Sequence, residues 1–214
     1  MNTFPMTTET QTEVAPVDAA AEEPKVLAWH FLQNNKRTRY SDELVEVGSV
    51  LHSKGALVLC GNGLHASLHP ADAQRYSPGF ILCRVELSGE MLHGEDKLCA
   101  RYRRVIEMKD ARQLVLLFAA DVYKKVFEAY NLGGEDCDIV VKFVRDFAEG
   151  KSTNDGLSAA RRAASNLYSK TRALDRALAL DLDRDLARAL ALDVKLVEWA
   201  RAEFQARVEA LFKK

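Results

Sequence analysis

The spacing of apolar residues changes once along the chain, near Met108, and this change constrains the fold more than any other feature. Before it, from Lys25 onward, short apolar runs alternate with turns rich in glycine, asparagine and proline; after it, apolar residues recur every three or four positions. A period of two is typical of strands and a period near 3.6 of helices. The sequence therefore predicts an α+β protein, with a small mixed β-sheet domain and one short helix at 25–108, followed by a helical region of three to four helices at 109–214.

The first 24 residues differ in composition from the rest of the chain. They are rich in Thr, Ala, Glu and Pro, and they carry five acidic and no basic side chains. Few bulky apolar groups are present to offset the entropy that ordering costs. We expect residues 1–24 to be a disordered acidic tail, with a peptide that folds on binding a partner as the alternative.

The segment 25–108 contains five candidate strands. They are KVLAWHFLQ, LVEVGSVLH, GALVLC, FILCRVELSG and KLCARYRRVIEM. In the last of these, strand alternation places Arg103 on the same face as Val105 and on the face opposite Arg104. Turn residues separate the strands, as in a small sheet.

The stretch LCGNGLHASLHPADAQRY, residues 59–76, joins a strand, a chain reversal and a short helix. Gly61 and Gly63 flank an asparagine, and all three residues tolerate positive φ, so the chain can turn sharply here. Pro70 suits the first position of a helix, and Asp72 complements the exposed amides of its first turn. The pattern therefore predicts a short helix that ends near the final tyrosine of the stretch.

The part of the chain after Met108 has three clear helical patterns and one unusual one. The clear ones are DARQLVLLFAADVYKKVFEAYNLGG, EDCDIVVKFVRDFAEG and a segment that begins near STND. In the last segment, 171–214, RALALD occurs twice, and its Ala, Leu and Arg residues favour a helix over a strand. Its apolar face, from Leu174 to Leu211, needs cover. The preceding helices are the simpler expectation, and a second copy of the chain is the alternative.

Charge and composition exclude several classes of protein. The net charge is −1, and neither 25–108, with eleven basic and nine acidic residues, nor 109–214, with nineteen and seventeen, has a basic excess. Nucleic acid is therefore not an expected partner. No apolar run approaches the ~20 residues that span a bilayer, and the N-terminus lacks the pattern of a secretory signal.

The four cysteines favour a reducing compartment. Cys60, Cys83, Cys99 and Cys137 lie in or beside apolar runs and form no CxxC pair. In a chain of this length they are expected to be buried thiols rather than disulfides. Together with the absence of a signal or a membrane span, this predicts a cytoplasmic protein.

Two site types can be considered around the glycine turn, and neither is favoured. Cys60, His65 and His69 are spaced C-x4-H-x3-H, with Cys83 or His93 as a fourth ligand, but structural zinc sites usually show tighter pairs. We therefore predict no metal site. A serine follows two positions after His65, yet no G-x-S-x-G elbow is present, so no hydrolase triad is expected.

The ordered segments AWHFL, VGSVLHSKGALVLCGNGLHASLHPADAQRYSPG, FILCRVELSGE and HGEDKLCARYRRVIEM resemble a domain family of unknown function found in proteins of tailed bacteriophages and prophages. The shared marks are the apolar-aromatic first strand, the LCxxGLHA core, the helix ending in Tyr76, the strand ending in Ser88-Gly89, and Asp96-Lys97. The resemblance covers about 26–108. It implies a phage- or prophage-encoded protein and carries no activity.

A more distant similarity, to ADP-ribosyltransferase-like folds, rests on the order of three residues. Such folds place a His or Arg on the first strand, a small hydroxyl on a later strand and an aromatic residue at a helix end; His30, Ser67 and Tyr76 follow this order. The similarity implies that His30, His65 and Tyr76 bind the nicotinamide end of NAD. It also implies catalytic roles for His30, Ser67 and Tyr76 and, as the late carboxylate that binds the ribose or activates the acceptor, Glu107.

The leading functional expectation is a cytoplasmic accessory or interaction protein of a phage or prophage, acting in an infected or lysogenic bacterial cell. It would bind a protein or another macromolecule of host or phage and need no cofactor. The resemblance to phage proteins, the near-neutral charge and the lack of a strong catalytic motif support this expectation. The alternatives are an NAD-using enzyme of the ADP-ribosyltransferase type and a homo-oligomer built through the Leu174–Leu211 helix face.

Overall fold

The computed structural model of the protein describes residues 25–129, 133–170 and 194–213. The expectations for the acidic tail and for the RALALD repeats lie outside the described residues. The described elements are β1 (Val26–Leu32), β2 (Val50–His52), β3 (Leu64–Ala66), α1 (Pro70–Gln74), β4 (Ile81–His93), β5 (Leu98–Asp110), α2 (Arg112–Ala129), α3 (Glu135–Ala148), α4 (Asn154–Lys170) and α5 (Val194–Phe212). This order confirms the α+β class. No helix among the described residues is long and apolar enough to cross a membrane.

The long hairpin of β4 and β5 is the centre of a five-stranded sheet. β1 pairs with the free side of β4, while the free side of β5 is shared by β3, at Leu98–Ala100, and by β2, at Tyr102–Arg104. We expected a mixed sheet, but every pairing among the described strands is antiparallel. A parallel pair needs a crossover connection, usually a helix. Among the described residues, α1 is the helix that lies between two strands, and it joins β3 to β4, which do not pair with each other.

A second connection closes this sheet into a ring. Trp29 in β1 and Ser67, just after β3, exchange two backbone hydrogen bonds, with N–O distances of 2.8 and 2.9 Å. The strands β1, β4, β5 and β3 therefore form a circuit around a small interior. The buried side chains of this interior include Ala28, Leu32, Val45, Leu51, Ala66, Ile81, Cys83, Val85, Leu87, Leu98, Ala100 and Val105.

The helices cover the outside of the ring in two layers. Trp29, Phe31 and Leu82 point outward and pack against α2 and α5. α3 packs on the other side of α2, and α4 packs on α3, through a cluster of Ala120, Tyr123, Phe127, Cys137, Val140, Val144, Ala163 and Leu167. β1 therefore contributes to two cores: its inner face to the interior of the ring and its outer face to the core that the sheet shares with α2 and α5.

The segment GALVLC does not form the expected strand. Residues 53–63 make an irregular loop instead, in which the Asn62 side-chain amide donates hydrogen bonds to the carbonyls of Lys54 (2.7 Å) and Ala56 (2.8 Å). On β5, β3 pairs with Leu98–Ala100 and β2 with Tyr102–Arg104, so no room is left between them for a strand from the segment that joins β2 to β3. As a consequence, Cys60 is exposed with φ +66°, while the other three cysteines are buried as expected.

Candidate functional site

A cleft of about 720 Å³ opens at one end of the ring. Its walls come from β1, from β3 and from the loops that precede and follow β2. The loop 37–43 forms one side of the mouth, and the turn 60–63 forms another. We call this space the His30 cleft.

Three of the four residues expected in a catalytic site line the His30 cleft. His30 extends from the middle of β1, Ser67 follows β3 and is buried, and Tyr76 lies two residues beyond α1 with 46% of its surface exposed. His65, expected to bind the cofactor, lines the same cleft. The ring closure between Trp29 and Ser67 brings β1 and β3 together, and this contact places their side chains in one space.

Glu107 does not line the cleft. It lies on β5 opposite Arg84, and its carboxylate is 3.2 Å from the Lys109 ammonium. The acidic side chain that does line the described cleft is Glu43, from the loop before β2. The geometry therefore groups His30, Ser67 and Tyr76 with a different carboxylate from the one expected.

His65 is held as a neutral imidazole. Its Nε2 accepts a hydrogen bond of 3.1 Å from the backbone N–H of Cys60, so the ring proton is on Nδ1. Burial lowers the pKa of His65, and the charge of Lys97 lowers it further, while a hydrogen bond to the Gly63 backbone opposes this shift. Cys60 belongs to the turn 60–63 and has a φ of +66°, so the hydrogen bond from its amide lets this turn position His65.

His30 is also held neutral, and it shares a partner with Arg103. Burial lowers the pKa of His30 well below its ordinary value, the positive charge of Arg103 lowers it further, and a hydrogen bond to the His65 backbone works in the opposite direction. Arg103 Nη1 donates to the His65 carbonyl over 2.8 Å. The backbone of β3 thus links the two side chains.

Arg103 is a site residue that was not selected from the sequence. It lines the His30 cleft and is buried, with 5% of its surface exposed. Burial lowers the pKa of Arg103 to about 10, and Cys83 opposes this shift. Strand alternation in the sequence places Arg103 on the same face as Val105, and this face is the interior of the ring. An arginine on a buried face was therefore the one sequence feature that could have identified Arg103 as a site residue.

Tyr76 is fixed by charged neighbours at the mouth of the cleft. Its hydroxyl donates to Asp96 Oδ2 over 2.6 Å, and Arg75 Nη1 binds the same oxygen at 3.0 Å. The Lys97 ammonium lies 4.0 Å from the centre of the Tyr76 ring. Burial and the hydrogen bond to Asp96 raise the pKa of Tyr76. The phenol therefore stays protonated, and the Lys97 ammonium covers one face of its ring.

The lining of the cleft is basic and aromatic. The basic residues along its wall are Arg37, Arg39, Lys54, Lys97 and Arg103, against the single acid Glu43. The exposed aromatic side chains along it are Tyr40 and Tyr76, while Trp29 and Phe31 border the cleft from β1 and turn their rings toward the helices. Although 25–108 is nearly neutral as a whole, its positive side chains are concentrated here. An anion that carries a ring fits this lining.

Within the described residues, no three His, Cys, Asp or Glu side chains are grouped so that they could hold a metal ion. Cys60 and His65 do approach each other, but through a backbone amide rather than the thiol. His69, the third residue of the C-x4-H-x3-H spacing, occupies the N-cap of α1.

Comparison with known proteins gives a family match that covers the whole sheet. No curated protein and no solved structure matches the chain. The model of a family described as a domain of unknown function, DUF7666, matches residues 26–117. This match begins with β1 and extends nine residues beyond the expected limit of the domain, into the first turns of α2. Residues 26–117 are therefore a DUF7666 domain of unknown function, and this domain contains all the residues that line the His30 cleft.

Proposed function

We propose that the DUF7666 domain of this chain binds an anionic, ring-bearing small molecule of the nucleotide class in the His30 cleft, and that NAD is the first candidate. The observation that carries this proposal is the convergence of His30, Ser67 and Tyr76 on one space. These are the residues that follow the order of ADP-ribosyltransferase-like folds in the sequence, and they come from three separate segments.

The chemistry of the lining supports a nucleotide over an uncharged ligand. The basic side chains of the lining would attract phosphate groups, and a base would meet the partly exposed ring of Tyr76. The ring is fixed by Asp96, so little entropy is lost when a base stacks on it. A volume of about 720 Å³ is within the range of small-molecule sites.

The proposal stops at binding and does not include transfer of ADP-ribose. In the resemblance, a carboxylate binds the ribose or activates the acceptor. Glu107 lies outside the cleft and pairs with Lys109, so it is not placed for that role. Glu43 is the carboxylate at the cleft, and any transferase reaction here would depend on it.

Titration of the full chain with NAD tests the proposal. We expect NAD to raise the melting temperature of the wild type and to bind Tyr76→Ala about tenfold more weakly, since loss of one stacked ring costs about 1–3 kcal/mol. Tyr102→Ala is the matched control, because Tyr102 is also partly exposed (38%) and lies outside the His30 cleft. Absence of any NAD-dependent stabilisation at millimolar NAD would contradict the proposal, as would equal binding by both variants.

The second proposal is the accessory role expected from the phage resemblance, the binding of a host or phage macromolecule. The loop between β1 and β2 supports it. Tyr40 is 92% exposed there, and Leu44, Val47 and, at the start of β2, Val50 also face solvent. Several exposed apolar side chains on one loop are typical of interaction surfaces.

A paired substitution tests the second proposal. A partner recovered with the wild-type chain should be lost with Tyr40→Ser/Val47→Ser, because both substitutions remove apolar contact area without disturbing the buried core. Leu27→Ser, an exposed apolar site on β1, is the control. Undiminished recovery of the partner by the loop variant would contradict this role for the loop.

A further inference from the structure

Arg103 carries a charge that the fold leaves uncompensated. Its side chain projects from β5 into the interior of the ring, beside His30 and Cys83, and it is almost completely buried. Removing a guanidinium from water is costly unless hydrogen bonds and an opposite charge replace the lost solvation. The described contacts of Arg103 supply only part of that replacement.

One hydrogen bond of Arg103 is present, from Nη1 to the His65 carbonyl. Its Nε is buried without a hydrogen-bond partner. Among the described residues, Arg103 takes part in no ion pair, whereas six other arginines, all of them more exposed, do. These pairs are Arg37–Asp42, Arg75–Asp96, Arg101–Glu90, Arg145–Asp121, Arg201–Asp72 and Arg207–Asp121.

The surroundings of Arg103 leave room for an anion from outside. His30 and His65 are its titratable neighbours in the cleft, and both are neutral, so neither offers a negative charge. Glu43, the acid on the cleft wall, belongs to an exposed loop at the mouth. An anion that enters the cleft therefore reaches Arg103 without displacing a carboxylate already bound to it.

The charges at the mouth indicate which kind of anion. Arg39 and Lys97 add positive charge around the entrance to the space that Arg103 lines, and Arg37, which pairs with Asp42, lies on the same wall. A ligand with a single carboxylate would neutralise only one of these positive charges. A phosphate-type group carries more than one negative charge and matches the planar fork of an arginine.

We infer that Arg103 forms the floor of an oxyanion subsite in the His30 cleft, where its guanidinium binds the phosphate or pyrophosphate group of the ligand. The ligand class rests on the proposed function. The subsite itself rests on the buried, partly unpaired guanidinium.

The wild-type chain provides the first test, with inorganic pyrophosphate as the probe. We expect pyrophosphate to raise the melting temperature more than sodium chloride of equal ionic strength. In nuclear magnetic resonance spectra it should shift the ring signals of His30 and His65 and leave those of His69 and His93, which do not line the cleft, in place. Stabilisation without these shifts, or no stabilisation, would overturn the inference.

Substitution of Arg103 provides the second test, by calorimetric titration with pyrophosphate and with NAD. Arg103→Gln should bind pyrophosphate at least about tenfold more weakly, and Arg103→Lys should also bind it more weakly because the fork is lost. Arg104→Gln is the matched control, since it removes the same charge from the adjacent, exposed residue outside the cleft. If the Arg103→Gln chain does not fold, the inference is tested by the affinity of Arg103→Lys for pyrophosphate and by the His30 and His65 signals of the wild type.

The two proposals fail differently in these experiments. Binding of pyrophosphate that depends on Arg103, without binding of NAD, supports the subsite and contradicts the nucleotide proposal. Binding of NAD that is equally strong in Arg103→Gln, Arg103→Lys and Arg104→Gln overturns the subsite and leaves the nucleotide proposal standing. Loss of pyrophosphate binding to the same degree in Arg103→Gln and Arg104→Gln also overturns the subsite, because it indicates general charge attraction.

Discussion

Gly63 is the residue on which the glycine turn depends most. Its φ is +134°, a conformation that side chains disfavour, and a Cβ there would overlap the Cys99 sulfur and lie 3.1 Å from Leu57 Cδ2. Gly61, two positions earlier, has an ordinary φ and meets only the Val58 side chain closely. The turn that positions His65 is thus possible because Gly63 has no side chain.

We predict that Gly63→Ala lowers the free energy of unfolding by about 3 kcal/mol or more, through backbone strain and overpacking together. Gly48→Ala is the control for strain alone, since Gly48 also has positive φ (+92°) but a Cβ there meets nothing within 4 Å. It should cost about 1–2 kcal/mol. Urea unfolding measures both values, and equal losses would show that the clash with Cys99 is relieved.

His30 makes the stability of the protein depend on pH. Its pKa is lowered in the folded state by burial and by Arg103, so below about pH 6.5 the unfolded chain binds a proton that the folded chain does not. Stability is therefore complete above this pH and falls as the pH drops, by up to about 1.4 kcal/mol per unit until the folded pKa is reached. His65 contributes with the same sign.

We predict that His30→Gln reduces the loss of stability between about pH 7 and pH 5.5 by roughly 1 kcal/mol. Urea unfolding at the two pH values gives this loss directly. His93→Gln is the control, because His93 is exposed at the end of β4. An unchanged pH dependence in His30→Gln would mean that the pKa of His30 is not lowered in the folded protein.

At the scale of elements, α1 is short but couples the sheet to the C-terminal helix. Asp72 in α1 is buried, and its Oδ1 accepts a hydrogen bond of 2.8 Å from Arg201 Nη2 in α5, 129 positions later. α1 also packs beside β1. Because α1 connects β3 to Tyr76, this ion pair helps to hold one wall of the His30 cleft.

We predict a coupling energy on the order of 1 kcal/mol between Asp72 and Arg201 in a double-mutant cycle of Asp72→Ala and Arg201→Ala. The value exceeds that of most surface pairs because the carboxylate is buried, although Arg201 is half exposed. The cycle is read from urea unfolding of the four proteins. Additive losses would mean that the ion pair contributes nothing beyond its separate side chains.

The elements also show what could be predicted from the sequence. The helix at Pro70 and the strands β1, β4 and β5 follow from local patterns and are confirmed. Asp72 was expected only to complement the amides of its own helix, because nothing local points to Arg201. The apolar run GALVLC satisfied the local criteria for a strand, yet it forms none, because β2 and β3 pair with adjacent parts of β5 and leave no room between them. Pairing is a property of the whole sheet.

At the scale of the whole molecule, the DUF7666 domain shares its core with helices outside the family match. Phe204 and Val208 of α5 are almost fully buried and pack with Trp29, Phe31 and Leu82 of the sheet. The sequence predicted helices after the sheet, but it did not predict that α5 would pack against β1. Such contacts depend on how the chain folds back on itself, and the spacing of apolar residues predicts only local secondary structure.

We predict that Phe204→Ala destabilises the protein by about 3–5 kcal/mol and that sheet and helix unfold together. Fluorescence reports both, since the two tryptophans of the chain are Trp29 in β1 and Trp199 in α5. Phe147→Ala is the matched control, because 41% of Phe147 is exposed. The fluorescence of Trp29 and that of Trp199 are followed separately during unfolding of Phe204→Ala. Two different unfolding transitions for the two tryptophans would contradict a shared core.

The two backbone hydrogen bonds between Trp29 and Ser67 have one more consequence, for the behaviour of the protein at high concentration. A strand at the border of a sheet offers unpaired N–H and C=O groups to other molecules, and this is a common route to aggregation. β1 would be such a border, but it pairs with β4 on one side and with Ser67 on the other. The contact that assembles the cleft thus also protects β1 from adding a strand of a neighbouring molecule.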